Sequence, residues 1–393
     1  MKICFIYKED YPWDVRVEKI AKSFIKERHS VFLVCRNNER RLRREVCGQL
    51  YMRRLPFLPK IFGALNFLMN MPFFFNPLWI YCIYACVKKD RCEAIIVRDL
   101  PLVLTSILIG KVFGIKVFYD MAECYPEMYR TMLKYGEGKI SNFFLKNYFI
   151  ASFIEYVCVY LVDHIFVMIE ESRERLYQKG VKENKISIVP NTPELNKITI
   201  FQKKYEKGDV IKLLYVGRIT RLRGIDNAIR GLNIYYSKYN TDKKIQFNIV
   251  GDGPHLNKIK ELTKELGLEN CVHFPGWCKG EDLQKYLIQS DIGILTHRDC
   301  PHWNTTIPNK LFDYMSSGLP VIATNVKPVK RIVEKVKCGM IFDDKDYNGF
   351  ALSLNKLLDS DIERMRENGI KAIKEVYNWE NDFKKILNIV VHD

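Results

Sequence analysis

The sequence predicts an α/β protein built from two doubly wound domains, and three observations carry that prediction. Short continuous apolar runs alternate with longer amphipathic segments along nearly the whole chain, the pattern of parallel strands covered on both faces by crossover helices. The alternation breaks once, near Val189-Pro-Asn-Thr-Pro193, where a charged stretch to Gly208 follows before it resumes. The length of 393 residues suits two domains of ordinary size, and 48% apolar residues give each the means to bury a core.

In the first domain, residues 1–190, Ile3–Tyr7 reads as a strand and Val15–Glu27 as a helix. Val31–Cys35 and Ala94–Val97 are strands, Leu102–Phe113 a helix and Lys116–Tyr119 a strand. A long apolar helix over Phe143–Leu161 precedes strand His164–Val167 and helix Glu170–Lys179. Residues 191–209 form the linker. The second domain, 210–375, runs strand Lys212–Val216, helix Gly224–Tyr236, strand Gln246–Val250, helix Pro254–Leu266, strand Val272–Phe274, helix Glu281–Gln289 and strand Ile292–Leu295. A short helix opening near Pro308 then stops at Gly318, before a buried strand from Pro320. The last segment, 376–393, carries Trp379 and is predicted to cross back to the first domain. Sheets of this kind bind ligands beyond the carboxyl ends of their strands, here in a cleft between the domains.

Net charge is +16, which suits nucleic acid, an anionic membrane or a phosphorylated substrate. No zinc finger or aromatic-basic RNA motif is present, which disfavours nucleic acid as a partner. The twelve cysteines include no Cys-x-x-Cys pair and fall mostly in apolar runs, as buried thiols of a reducing cytosol do. Met1-Lys-Ile-Cys-Phe-Ile-Tyr7 is too short for a signal peptide and reads as the first strand.

Ile61–Val87 is unusually hydrophobic, but Asn66, Asn70, Pro72, Asn76 and Pro77 interrupt it, which argues against a membrane span. Two readings stay open: a buried helix pair, or a surface that dips into a bilayer or grips a lipid tail. Between Arg36 and Lys60 lie Arg40, Arg41, Arg43, Arg44, Arg53 and Arg54 against only Glu39 and Glu45. That flank suits anionic headgroups, and equally a solvated loop.

The chemistry-bearing residues fall at predicted strand ends. Lys212–Val216 runs into Gly217-Arg-Ile-Thr-Arg-Leu-Arg-Gly224, where Gly217 permits close backbone approach and Arg218 and Arg223 present guanidinium forks that match diphosphate oxygens. Gln246–Val250 ends in Gly251-Asp-Gly-Pro254, which is either a structural turn or a ligand-facing one, and lacks the Gly-x-Gly-x-x-Gly fingerprint of dinucleotide sites. His273-Phe-Pro-Gly-Trp277 is a further strand-end loop, able to read a base edge. The stretch Thr305-Thr306-Ile307-Pro308-Asn309-Lys310 leads into the short helix, whose free backbone N–H groups suit an anion. Asp313, one turn in, either complements the helix dipole or holds ribose hydroxyls. Phosphate at the helix end and sugar hydroxyls on the acid suggest a nucleotide-sugar site.

Taken together, these residues resemble family 4 of the retaining glycosyltransferases, which have the GT-B fold of two Rossmann-like domains. The resemblance rests on Val216-Gly-Arg218, Gly224, Val250-Gly-Asp-Gly-Pro254, Phe274-Pro-Gly276 and Pro308-Asn-Lys-Leu-Phe-Asp-Tyr-Met-Ser-Ser-Gly-Leu-Pro-Val-Ile-Ala, with Asp14-Val-Arg16, Arg98-Asp99-Leu and Asp120-Met-Ala-Glu123 in the first domain. It implies transfer of a hexosyl or N-acetylhexosaminyl unit, with retention, from a nucleoside diphosphate sugar. The acceptor would be a hydroxyl, on a lipid-linked or other saccharide of cell-surface polysaccharide assembly.

By the same resemblance Arg218 and Arg223 hold the diphosphate, with Arg223 where the family usually has Lys. Gly217, Gly251, Trp277, Thr305–Lys310 and Asp313 contact the donor. Asp14, Arg16, Asp99, Asp120 and Glu123 serve the acceptor, and Glu123 orients the incoming hydroxyl or takes its proton. No metal or other cofactor is implied, and Asp344-Lys-Asp346 reads as a solvated turn. The enzyme would be cytoplasmic and peripheral at the inner face of the plasma membrane.

Three departures stand out. Thr305 and Asp313 occupy the places of the two acids in the family's Glu, seven residues, Glu motif; Ala122 stands where many members have His; and the loop Lys8–Asp14 lacks the usual glycines. A nucleotide-sugar epimerase and a noncatalytic nucleotide-sugar-binding protein remain as alternatives.

Overall fold

The computed structural model of the protein describes residues 1–12, 14–57, 69–72, 74–135, 146–197, 210–239 and 243–392. They form two compact units, parting between Asn191 and Thr192. The rest of the predicted linker, 198–209, lies outside the described residues, as do 61–68 and Phe73 of the apolar stretch.

The first unit is built on eight strands: β1 Lys2–Asp10, β2 Ser30–Arg36, β3 Arg44–Cys47, β4 Leu50–Arg54, β5 Ala94–Arg98, β6 Lys116–Met121, β7 His164–Val167 and β8 Ile186–Ile188. Their order is β3-β4-β2-β1-β5-β6-β7-β8, parallel except for the β3–β4 hairpin. The central register sets Ile3 beside both Val31 and Ala94. Residues 3–7 of β1 are buried, which is why its apolar run shows no alternation.

Helix Pro77–Asp90 opens on an Asn76 cap and buries Trp79, Ile83, Cys86 and Val87 in this core, so that residues 77–87 of the apolar stretch belong to a core helix. Helix Tyr148–Leu161 buries Ala151, Ile154, Cys158 and Val159 but exposes Phe149, Phe153 and Tyr156. No described helix is long and apolar enough to cross a membrane. The chain rejoins this unit at Asp382. There Phe383 sets its ring edge-on to Phe24, with centroids 5.1 Å apart, and Lys385 Nζ donates to Ile188 O at 3.0 Å. Trp379 itself packs in the second unit, its backbone N–H donating to Pro193 O at 2.9 Å.

The second unit has six strands: β9 Val210–Val216, β10 Lys244–Val250, β11 Val272–Gly276, β12 Ile292–Leu295, β13 Val321–Thr324 and β14 Gly339–Phe342. All are parallel, in the order β11-β10-β9-β12-β13-β14. Helices Ile225–Tyr239 and Tyr347–Leu358 cover one face, burying Ile229, Leu232, Phe350 and Leu354 against Leu213, Phe247 and Ile294. Each sheet therefore has one point where strand order reverses, β1/β5 in the first and β9/β12 in the second. Crevices form at the carboxyl ends of such neighbours.

Candidate functional site

In the second unit the loops after β9 and β12 meet backbone to backbone. Gly224 has φ 61°, and a Cβ there would stand 2.1 Å from Thr296 O. Thr296 Oγ1 in turn donates to Arg223 O at 2.9 Å. Gly251 has φ 150°, and its Cβ would fall 1.9 Å from Gly217 O. The glycine there is required by the adjoining turn, whatever a ligand needs.

Within this frame Arg218 is exposed and makes no ion pair among the described residues. Arg223 donates from Nη1 to His297 Nε2 at 2.5 Å, and its guanidinium lies 4.5 Å from the Trp303 ring centroid. His297 and Trp303 are buried edge to face, with centroids 4.4 Å apart, and His302 packs on the same indole at 4.7 Å. Burial first, then the charge of Arg223 and the neighbouring His302, hold His297 well below its usual pKa. Burial and Arg223 push His302 down to about 4. Both imidazoles are thus neutral near pH 7. Sequence reasoning missed His297, His302 and Trp303; the signal was a run of ring-bearing residues directly after a strand, Thr296-His-Arg-Asp-Cys-Pro-His-Trp303.

Arg298, also missed, points the other way. Its Nη1 donates to Asn227 Oδ1 (3.0 Å) and Asp344 Oδ1 (2.9 Å), and Nη2 pairs with Asp226. Asp344 further accepts from Asn227 Nδ2 at 2.9 Å and Asp299 N at 3.2 Å. The reading of Asp344 as part of a solvated turn is corrected here: it closes a largely buried ion-pair network. Asp346 caps helix Tyr347–Leu358 by accepting from Gly349 N at 2.8 Å.

The stretch after β12 is held inward. Thr305 Oγ1 donates to Pro301 O (3.1 Å) and His302 O (3.0 Å), Thr306, Ile307 and Pro308 are buried, and Asn309 is exposed. The helix opens at Lys310, two residues later than predicted, and ends at Ser316. Two predicted donor contacts pair with each other, Lys310 Nζ to Asp313 Oδ2 at 2.8 Å. The helix is pinned to the sheet by Tyr314, whose hydroxyl accepts from Val216 N at 3.0 Å. Trp277 stands exposed just past β11.

The first unit gathers its own charged residues at the β1/β5 reversal. Asp14 caps helix Val15–Lys26, accepting from Arg16 N and Val17 N at 2.9 Å each. Arg98, at the end of β5, pairs with Asp14 at 3.0 Å and Asp120 at 3.4 Å. Arg16 and Asp120 are sealed against each other, 1% and 0% exposed, and Arg16 Nη1 also donates to Pro190 O at 3.1 Å. Their assignment as acceptor contacts is corrected: with no exposed face, they position Arg98 and the first helix.

Asp99 is different. It takes φ 64° and ψ 160°, a conformation uncommon outside glycine, with Lys8 Nζ 3.8 Å from Oδ2. Its buried Oδ1 has no hydrogen-bond partner among the described residues. Burial pushes the Asp99 carboxyl up, partly offset by Lys8 and Arg98. Glu123 is half-buried just before helix Tyr125–Tyr135. Among the described residues no group of three or more His, Cys, Asp or Glu is placed to hold a metal ion.

Residues 196–376 match the family described as glycosyl transferases group 1. An uncharacterized glycosyltransferase of Haemophilus influenzae is 26% identical over 221 residues, 55% of this chain and 58% of that protein. The lipopolysaccharide 1,6-galactosyltransferase of Salmonella typhimurium is 21% identical over 63% of this chain and 66% of its own. The chain spans about half the length of the curated relatives it matches. Among solved structures, sucrose-phosphate synthase from Thermosynechococcus elongatus superposes with a TM-score of 0.74 at 16% identity, over 99% of this chain and 98% of that one. That likeness is one of fold, and the fold is GT-B.

Proposed function

We propose that the protein is a glycosyltransferase that moves a sugar from a nucleoside diphosphate sugar to an acceptor hydroxyl, with retention at the anomeric carbon. The observation that carries this reading is a pair of guanidiniums after β9, Arg218 and Arg223, neither of which faces a carboxylate among the described residues. A diphosphate leaving group accumulates negative charge as the glycosidic bond breaks, and uncompensated donors aimed at it favour that state, each by about 3 kcal/mol. The match of 196–376 to a glycosyltransferase family supports the assignment. No metal is invoked, since the guanidiniums supply the positive charge.

Asp313 takes the ribose hydroxyls in this reading, exchanging its bond to Lys310 for them. On the acceptor side Asp99 joins Glu123: a buried, strained carboxylate with an open oxygen suits a hydroxyl donor. The acceptor is a lipid-linked saccharide of cell-surface polysaccharide assembly, which the similarity to the lipopolysaccharide galactosyltransferase supports. The deciding experiment is a panel of nucleotide sugars with and without saccharide acceptors. Diphosphate release that depends on acceptor is the expected result. An epimer formed without acceptor, or no turnover with any donor, sinks the proposal.

The protein binds the cytoplasmic membrane face peripherally. Support comes from exposed Tyr81, Val112, Phe149 and Phe153 on three helices of the first unit. Beside Tyr81 a small cavity of about 50 Å³ is lined by Arg43, Arg44, Arg53 and Lys89. Arg53 pairs with Asp90, while Arg43, Arg44 and Lys89 have no ion-pair partner among the described residues. Aromatic and basic groups side by side suit anionic headgroups. Flotation with anionic liposomes is the measurement; unchanged binding after Arg43, Arg44 and Lys89 are all changed to Glu overturns this part.

A further inference from the structure

We infer that His297 is a positioning residue that holds Arg223 in place without neutralising it. The inference rests on the reading of Arg223 as a diphosphate ligand and adds how this chain keeps that cation ready.

An arginine at a strand end must be anchored, because its side chain otherwise samples many rotamers. The usual anchor is a carboxylate, and this unit uses two of them at Arg298, the residue after His297, which lies between Asp226 and Asp344. Such a pair fixes geometry but cancels charge. An incoming phosphate would then compete with the carboxylate and be repelled by it. Arg223 is anchored by a different chemistry. Its Nη1 is taken by His297 Nε2 at 2.5 Å, and its plane rests near the Trp303 ring at 4.5 Å. Both partners attract a cation and neither carries a negative charge.

The anchor is rigid for its own reasons. His297 follows β12 by two residues, is 2% exposed, and its backbone carbonyl accepts from Thr324 Oγ1 at 2.6 Å. Guanidinium only donates, so Nε2 must carry the lone pair and Nδ1 the proton. A protonated imidazole could not accept from Arg223, and burial beside a fixed cation disfavours that form. With one N–H committed to His297, the remaining donors of Arg223 are available to an anion with full charge behind them.

The proposal separates charge from geometry, and one pair of variants does the same. His297→Gln keeps a neutral acceptor at this position. His297→Glu offers a stronger acceptor but adds the negative charge. Binding of inorganic pyrophosphate is measured by calorimetry for both, with Arg223→Ala alongside and melting temperatures recorded. The expected result is binding within about threefold of wild type for Gln and at least tenfold weaker for Glu, the latter easing at acid pH as the carboxyl protonates. If His297 is only a structural prop, Glu binds as well as Gln, and that outcome overturns the inference.

Unchanged binding by Arg223→Ala removes the diphosphate reading itself, and the inference with it; a loss in Arg223→Ala with equal Gln and Glu removes the inference alone. Should the Glu variant fail to fold, His297→Leu removes the acceptor without adding charge. Leu at least tenfold weaker than Gln then supports the inference, and Leu equal to Gln overturns it.

Discussion

The Arg16 guanidinium and the Asp120 carboxylate lock together inside the first unit, Nη2 at 2.6 Å from Oδ1 and Nε at 3.0 Å from both oxygens, with neither side chain reaching solvent. Asp120→Asn leaves the buried Arg16 charge without its carboxylate, which is expected to cost about 3–5 kcal/mol in urea denaturation. Arg16→Met leaves Asp120 still paired with Arg98 at 3.4 Å and is expected to cost less. Replacing both together with apolar residues of similar size is expected to cost clearly less than the sum. A single variant within about 0.5 kcal/mol of wild type would show the pair to be exposed in solution and would restore both residues as acceptor contacts.

Asp344 and Asp346 sit two residues apart and make a sharper comparison. Asp344 balances Arg298, whereas Asp346 caps a helix at the surface. Asp344→Asn is expected to destabilise by about 2–4 kcal/mol and to free the loop after β12, while Asp346→Asn costs about 1 kcal/mol or less, as Asn also caps. Equal effects in thermal unfolding would return Asp344 to the role of a solvated turn.

That comparison also marks what could be read from the chain. Continuous apolar runs such as Ile3–Tyr7 and Ile292–Leu295 announced the central strands because burial on both faces leaves no alternation to confuse. The hairpin of β3 and β4 went unread because Arg44–Cys47 is exposed and charged, and only pairing makes it a strand. In the site, Gly217, Arg218 and Arg223 were legible since their position after a strand carries the meaning. Their partners were not: His297 is 74 residues from Arg223, and Arg298 is 46 from Asp344. Nothing local in Asp343-Asp-Lys-Asp346 distinguishes a buried acid from a solvated one.

The two neutral imidazoles predict a pH dependence of stability. His302 has its pKa depressed to about 4, and His297 is held well below its usual value by burial and by Arg223. The unfolded chain takes up protons on both near pH 6.5, where the folded unit does not, so the stability they contribute is complete above that pH. It is lost progressively as pH falls from about 6.5 toward 4, by up to roughly 3 kcal/mol for His302. Melting curves between pH 7 and 4 should slope downward in wild type and flatten when His302 is changed to Gln. A slope that the substitution leaves unaltered would mean that His302 charges freely in the folded state.

In the proposed reading Arg218 contacts the donor diphosphate and Asp313 its ribose, and neither is expected to be needed for the fold. Arg218 is exposed without an ion pair among the described residues, so Arg218→Ala should leave the melting temperature unchanged. If it stabilises the departing diphosphate, turnover falls by about 100- to 1,000-fold. Near-wild-type turnover with an intact fold would remove it from the reaction. Asp313 is 37% exposed and its bond to Lys310 is a surface pair worth under about 1 kcal/mol, so Asp313→Asn should also fold normally. Its effect should appear in calorimetry with the nucleoside diphosphate the panel identifies. Affinity should fall because an amide holds a ribose diol less well than a carboxylate, while affinity for inorganic pyrophosphate stays the same. A loss on pyrophosphate as large as on the nucleotide would assign Asp313 to organising Lys310, and an unchanged nucleotide affinity would end its assignment to the ribose.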